Sequence, residues 1–241
     1  MVGVAVGVVV VVVVAVVVNY MIFPTPPNPS ILLPEQSGLW VCPPHKGQGF
    51  HIFVGEWAEF FWYTLDADEK PVWYSGGGVG NTFDIIKTDG DRNEIDAGTV
   101  SLNLEDGTLY MHTYDHGRVT LPIERQEIAF SMDERNGPWI DDNHDEAGFT
   151  MQFFNFMGER VTAPWFTYRD GRQWWYICTG EWYPAGKRYD LKIAEARGKC
   201  MTPGDAEENG VGRAKLRATD EGFEFNYTLR GEAGVRNLRR L

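Results

Sequence analysis

One ordered set of aromatic and glycine landmarks occurs twice between residues 36 and 241, and this internal repeat constrains the fold more than any other feature. Gly38-Leu39-Trp40 aligns with Gly137-Pro138-Trp139, and Gly49-Phe50 with Gly148-Phe149, at one constant offset. Trp62-Tyr63-Thr64 then matches Trp165-Phe166-Thr167, and Trp73-Tyr74 matches Trp175-Tyr176 after a shorter turn. Gly98 to Leu102 matches Gly212 to Leu216, Met111-x-Thr113 aligns with Phe225-x-Tyr227, and Gly117 with Gly231. Each copy ends alike, in Ile123-Glu124-Arg125 and Leu238-Arg239-Arg240.

The local pattern inside each copy is that of β-strands. Gln48 to Val54 and Trp57 to Leu65 are short aromatic and β-branched runs, bounded by turn residues. Asp66 to Pro71 and Arg169-Asp170-Gly171-Arg172 read as turns between aromatic strands. Glu105-Asp106-Gly107, Asp115-His116-Gly117 and Asp220-Glu221-Gly222 read as hairpin turns. Gly76-Gly77-Gly78-Val79-Gly80 reads as a loop. The expectation is an all-β fold of two antiparallel meanders, sandwich- or barrel-like, with six or seven strands in each of the segments 36–130 and 131–241.

These motifs resemble a repeat carried by exported proteobacterial proteins, largely uncharacterised. That unit runs Gly-x-Trp-Trp-x-Pro, Gly-x-Gly-Phe, Trp-Phe-Thr-Tyr-Asp-x-x-Gly-x-Pro-x-Trp-Tyr, and later a Phe-x-Tyr-Thr hairpin near an Arg. The first copy here has Gly38-Leu39-Trp40-Val41-Cys42-Pro43, Gly47-Gln48-Gly49-Phe50, Trp62-Tyr63-Thr64-Leu65-Asp66 and Pro71-Val72-Trp73-Tyr74. The second has Trp165-Phe166-Thr167-Tyr168, Trp174-Trp175-Tyr176 and Phe225-Asn226-Tyr227-Thr228, but Ile140-Asp141-Asp142-Asn143 replaces its Trp/Pro segment. The resemblance implies a β fold and an exported domain, and it implies no reaction.

Residues 1–18 carry no polar side chain, and thirteen are Val. Eighteen helical residues rise about 27 Å, close to the hydrocarbon thickness of a bilayer. With Tyr20 to Phe23 they predict an uncleaved transmembrane anchor over residues 1–23, since a basic start and a small-residue cleavage site are both missing. Gly3 and Gly7, four apart, would let a neighbouring helix approach closely. Pro24, Pro26, Pro27 and Pro29 make residues 24–35 a stiff spacer. The first Lys or Arg after the span is Lys46, so positive charge hardly sets orientation. The export context of the resemblance places the protein in a bacterial inner membrane with its β domain in the periplasm.

The formal net charge of −12 argues against nucleic acid as a partner. Trp57, Trp62, Trp73, Trp165 and Trp175 are candidates for core, for a protein interface, or for platforms under a planar ligand. Asp89, Asp91 and Asn93 alternate like calcium-loop ligands, although Glu94 stands where a Gly belongs and Val100 where a Glu belongs. The run Asp141 to Glu146 is a second acidic stretch, read as a solvated loop. Cys178 and Cys200 could close a disulfide in an oxidising compartment, leaving Cys42 free. None of His45, His51, His112, His116 and His144 has zinc-ligand spacing, and no nucleophile elbow, phosphate loop or dinucleotide fingerprint occurs. The sequence therefore points to a non-enzymatic accessory or structural subunit of a larger membrane complex, with respiratory and photosynthetic complexes as the settings considered. Its partners would be other membrane-protein subunits and the lipid bilayer, without a cofactor. A carbohydrate- or ligand-binding envelope module is the alternative, and an enzyme with a dispersed site the next.

Overall fold

The computed structural model describes residues 31–44, 48–66, 68–89, 91–126, 133–197 and 207–241. The anchor, most of the proline spacer, Gly3 and Gly7 lie outside them. Among the described residues no helix is long and apolar enough to cross a membrane.

Among the described residues the fold is all-β and forms two barrels. In the first, β1 (Gly38–Val41), β2 (Gly49–Val54), β3 (Ala58–Leu65), β4 (Pro71–Gly78), β5 (Thr82–Thr88), β6 (Glu94–Asn103), β7 (Thr108–Thr113) and β8 (Gly117–Pro122) pair in sequence order, all antiparallel. A short β9 (Glu124–Arg125) returns to β1, with Trp40 opposite Arg125. β8 and β9 are one path interrupted at Ile123, whose amide donates instead to Gly107 (2.8 Å), so this ring is nearly closed. The second barrel is fully closed. It comprises β10 (Gly137–Asp141), β11 (His144–Asn155), β12 (Glu159–Arg169), β13 (Arg172–Tyr183), β14 (Arg188–Arg197), β15 (Glu207–Ala218), β16 (Phe223–Leu229) and β17 (Glu232–Arg240).

Each barrel therefore has eight strand positions rather than six or seven. β5 and β8 carry mixed, partly exposed side chains, with Phe83 the single aromatic in β5 and none in β8, so their strand signal is weaker than that of β2 to β4. Gly76, Gly77 and Gly78 lie within β4 and not in a loop. The alignment of Met111 with Phe225 also slips by one residue pair. Leu102 faces Leu109 and Leu216 faces Phe225, which makes Leu109 the counterpart of Phe225 and Met111 that of Tyr227. The cause is that the β15–β16 ladder runs one pair further toward its turn, to Ala218–Phe223.

The repeated landmarks are the residues that start and close each ring. Gly38 and Gly137 sit at φ +132° and +142°, where a side chain would be strained. Arg125 and Arg240, from the last strand of each copy, donate Nη2 to the carbonyls of Ser37 (2.7 Å) and Asn136 (2.8 Å) just before those glycines. Ser37 Oγ accepts from the Val54 amide and Asn136 Oδ1 from the Phe153 amide. Trp40 and Trp139 donate their indole N–H to the carbonyls of Gln36 and Arg135.

Alternation along each strand sends one set of side chains into the barrel. Phe50, Phe60, Trp62, Tyr74 and Phe83 fill the first interior, and Phe149, Phe153, Trp165, Tyr176 and Phe225 the second, all buried. The opposite set on β1, β3, β4, β12 and β13 is also apolar and packs barrel against barrel, through Leu39, Tyr63, Leu65, Trp73, Phe166 and Trp175. The contacts are exchanged between copies. Tyr63 meets Trp175 (5.2 Å, 56° between rings), while their counterparts Phe166 and Trp73 meet at 5.5 Å and 53°. His51 meets its own counterpart Thr150 (2.8 Å). The two barrels are thus related by a pseudo-twofold axis through a self-complementary interface.

Two outcomes follow from these positions. Trp62→Ala and Trp165→Ala each empty the centre of a packed barrel and should cost about 3–5 kcal/mol in denaturant unfolding. The symmetry is broken at one polar atom: Trp175 donates Nε1 to the Thr64 carbonyl (2.7 Å), whereas Trp73 Nε1 is buried without a partner among the described residues. Trp175→Phe should therefore cost about 1–2 kcal/mol more than Trp73→Phe in the same measurement.

Candidate functional site

An up-and-down barrel sends alternate turns to opposite ends. The turns β2–β3, β4–β5 and β6–β7 lie at the end where the first barrel begins, here termed upper, with β11–β12, β13–β14 and β15–β16 at the corresponding end of the second. The upper ends lie together, because one cleft is lined by Ser37, Gly38 and Trp57 from one barrel and by Asn136, Gly137 and Arg240 from the other. The lower ends also meet, where Thr88 and Tyr168 hydroxyls share a hydrogen bond (2.8 Å).

The lower end is charged and internally paired. In the first barrel Tyr74 donates its hydroxyl to Asp115 (3.0 Å), and Asp115 also binds Lys87. In the second barrel the corresponding strand and hairpin carry Glu195 and Arg230, an ion pair of reversed polarity, with Arg169 3.8 Å from Glu195. Burial pushes the His116 imidazole below its usual range, partly opposed by the Asp115 carboxylate. These groups close the barrel ends.

The upper cleft has a volume of about 440 Å³ and is lined by the counterpart pairs Ser37-Gly38 and Asn136-Gly137 of the two copies. The Trp57 indole lies across Gly77, in the space a side chain there would need. Trp57 remains 57% exposed at the cleft rim. Glu59, half-buried in the same cleft, has its carboxyl pushed up by burial, with Arg240 acting in the opposite direction. Beneath the cleft a line of buried polar groups runs between the barrels. Gln152 Oε1 accepts from the Leu39 amide (2.9 Å), His51 Nδ1 lies 2.8 Å from Thr150 Oγ1, and Thr64 donates to Gln48. His51 is fully buried, its Nε2 has no partner among the described residues, and burial pushes its pKa down to about 3.

The candidate residues of the sequence separate into distinct places. Trp62 and Trp165 lie in the barrel interiors, Trp73 and Trp175 in the inter-barrel contact, and only Trp57 of the five faces solvent broadly. Asp89 uses its carboxylate to accept hydrogen bonds from the Asp91 and Asn93 amides, forming a self-closed turn. Among the described residues no group of three His, Cys, Asp or Glu side chains could hold a metal ion. Asp141 and Asp142, read as solvated, pair with Arg236 (3.1 Å) and Arg239 (3.0 Å) of β17, and Asp141 is buried. The last strand needs those carboxylates as counter-charges. Cys178 carries a free, fully buried thiol raised by desolvation, and Cys200 lies outside the described residues. Cys42 is also a free buried thiol, pushed up to about 12.

Sequence reasoning overlooked the other tips of the upper end. Val79, Phe156 and Met157 are exposed there, at 75%, 57% and 89%. Their signal was an apolar residue inside a Gly-containing turn, where polar residues are usual. Compared with known proteins, the chain matches no family model, no curated protein and no solved structure.

The buried histidine has a measurable consequence. It stays neutral when folded and protonates when unfolded, so its contribution to stability is present above pH 6.5 and lost progressively as pH falls toward 3. His51→Gln should reduce the loss of unfolding free energy between pH 7 and pH 4 by about 3 kcal/mol relative to the parent.

Proposed function

We propose that this chain is a membrane-tethered, non-enzymatic accessory subunit whose paired barrels form a rigid block that clamps neighbouring subunits outside the bilayer. The observation that carries the reading is the wholly apolar segment 1–18, joined by a proline-rich spacer to the upper end of the first barrel. Leu32, near the end of that spacer, packs into the first barrel's core, so force on the tether would be borne by the barrel itself. The filled interiors add support, because a packed barrel offers its outer surface and not a lumen. The charged groups of the lower end are likewise occupied with one another. The block belongs on the periplasmic face of a bacterial inner membrane, a placement that rests on the resemblance to exported repeat proteins.

A second reading, a carbohydrate-binding envelope module, is favoured by one observation, the exposed Trp57 indole beside Glu59 in the upper cleft. Titration of envelope oligosaccharides into the protein and into Trp57→Ala separates the readings, since a cleft that binds sugar through stacking loses that binding with the indole.

For the first reading, the full chain extracted in mild detergent should migrate in a stoichiometric assembly. The double variant Gly3→Leu and Gly7→Leu should leave that assembly while staying in the membrane fraction. Migration of the parent as a single chain in its micelle would overturn the reading. Protease added to intact spheroplasts should digest the β domain; protection until lysis would reverse the orientation.

A further inference from the structure

We infer that the upper end of the paired barrels is a bilayer-contact face, pressed into the headgroup region of the membrane that holds the tether. The inference rests on the membrane-tethered reading and adds to it which surface faces the lipid.

The two ends of the block differ in chemistry. Upper-end turns near the seam present Trp57, Val79, Phe156 and Met157, and Ile31 and Leu33 stand exposed where the chain arrives from residues 1–30. Ile31 is 79% exposed although its neighbour Leu32 is buried in the core. Lower-end turns instead carry Asp68-Glu69, Asp89, Asp170 and Arg230, and their exposed aromatic, Tyr114, donates its hydroxyl to Asp96 (3.0 Å). Single apolar side chains at the tips of separate turns gain little from one another, but each gains by entering an apolar phase that all of them can reach together. A protein partner would need a shaped counterpart for every tip, whereas a bilayer needs none.

Polar groups around the tips suit an interface. Arg160 lies over the Phe156 ring (5.9 Å) and Arg188 over the Tyr183 ring (5.0 Å), the mixture of aromatic and cationic side chains found at headgroup depth. The acidic tips Glu105-Asp106 and Asp220-Glu221 belong to the turns farthest around each barrel from the seam, and with Glu56, exposed beside Trp57, they would remain among headgroups. The tether provides the geometry. It joins the upper end, and residues 19–30 span at most about 40 Å even if fully extended, so this end starts closest to the bilayer. With a net charge of −12, the contact should favour zwitterionic over anionic lipid.

The test uses the full chain with Cys200→Ser, because Cys42 and Cys178 are buried. A bimane label is placed at Val79→Cys, at Met157→Cys, or at the lower-end control Asp68→Cys. Each protein is reconstituted into phosphatidylcholine vesicles containing lipid with a nitroxide at a shallow acyl position. Labels at 79 and 157 should be quenched several-fold more than the label at 68, and replacing part of the lipid with phosphatidylglycerol should weaken the effect. Equal quenching at all three positions, or none at 79 and 157 in a chain that still floats with vesicles after alkaline washing, would overturn the contact face and leave the tether standing. Failure to float would overturn both. Absence of quenching together with shielding of positions 79 and 157 from a water-soluble thiol reagent in native membranes would assign the face to a protein neighbour and overturn lipid contact.

Discussion

Tyr63 against Trp175 and Phe166 against Trp73 are the contacts on which the arrangement of this molecule depends. A strand with apolar side chains on one face can line a barrel and leave its other face in water. β3, β4, β12 and β13 carry large apolar side chains on both faces. The inner set fills a barrel, and the outer set must find a second surface. Each barrel offers the surface the other needs, and exchanged aromatic pairs of this kind contribute about 0.5–1.5 kcal/mol each beyond their area burial. The result is one block with a defined upper and lower end.

The same interface holds polar groups whose cost is tolerated only because partners are in place. Gln152, Thr150, His51, Thr64 and Gln48 are all buried, and most of their hydrogen bonds cross the seam or tie a strand to the loop before β2. Such pairing defines the registry of one barrel on the other, because sliding either would leave buried donors and acceptors unmet. The Nε2 of His51 and the Nε1 of Trp73, without a partner among the described residues, mark where the two copies have diverged from symmetric packing.

Divergence is clearest at the barrel ends. The ring-closing residues keep their roles in both copies: Arg125 and Arg240, Gly38 and Gly137, Trp40 and Trp139. The lower cap keeps its tyrosine positions but reverses its charges, Lys87 with Asp115 in one barrel and Glu195 with Arg230 in the other. An ion pair depends on opposite sign and not on which strand carries which sign, so the swap preserves the seal while changing the surface field. The upper ends instead gather exposed apolar tips around a shared cleft.

The order of the landmarks by itself determined that the repeated region is all-β and built from two like meanders, because period-two aromatic runs broken by Asp-Gly turns read as strands and hairpins. It also marked Trp62 and Trp165 as equivalent. Adjacent aromatics such as Phe60-Phe61-Trp62-Tyr63 showed that both strand faces were apolar, but not which residues the outer face would meet. Only the tertiary structure decided that the meanders close as barrels, that Trp73 and Trp175 lie between them, and that Trp57 lies on the bed of Gly77 at the rim of a cleft. Closure and docking are long-range pairings, such as Trp40 with Arg125 or His51 with Thr150, between residues far apart in the chain. A local pattern records the direction in which a side chain points; it does not record what stands opposite.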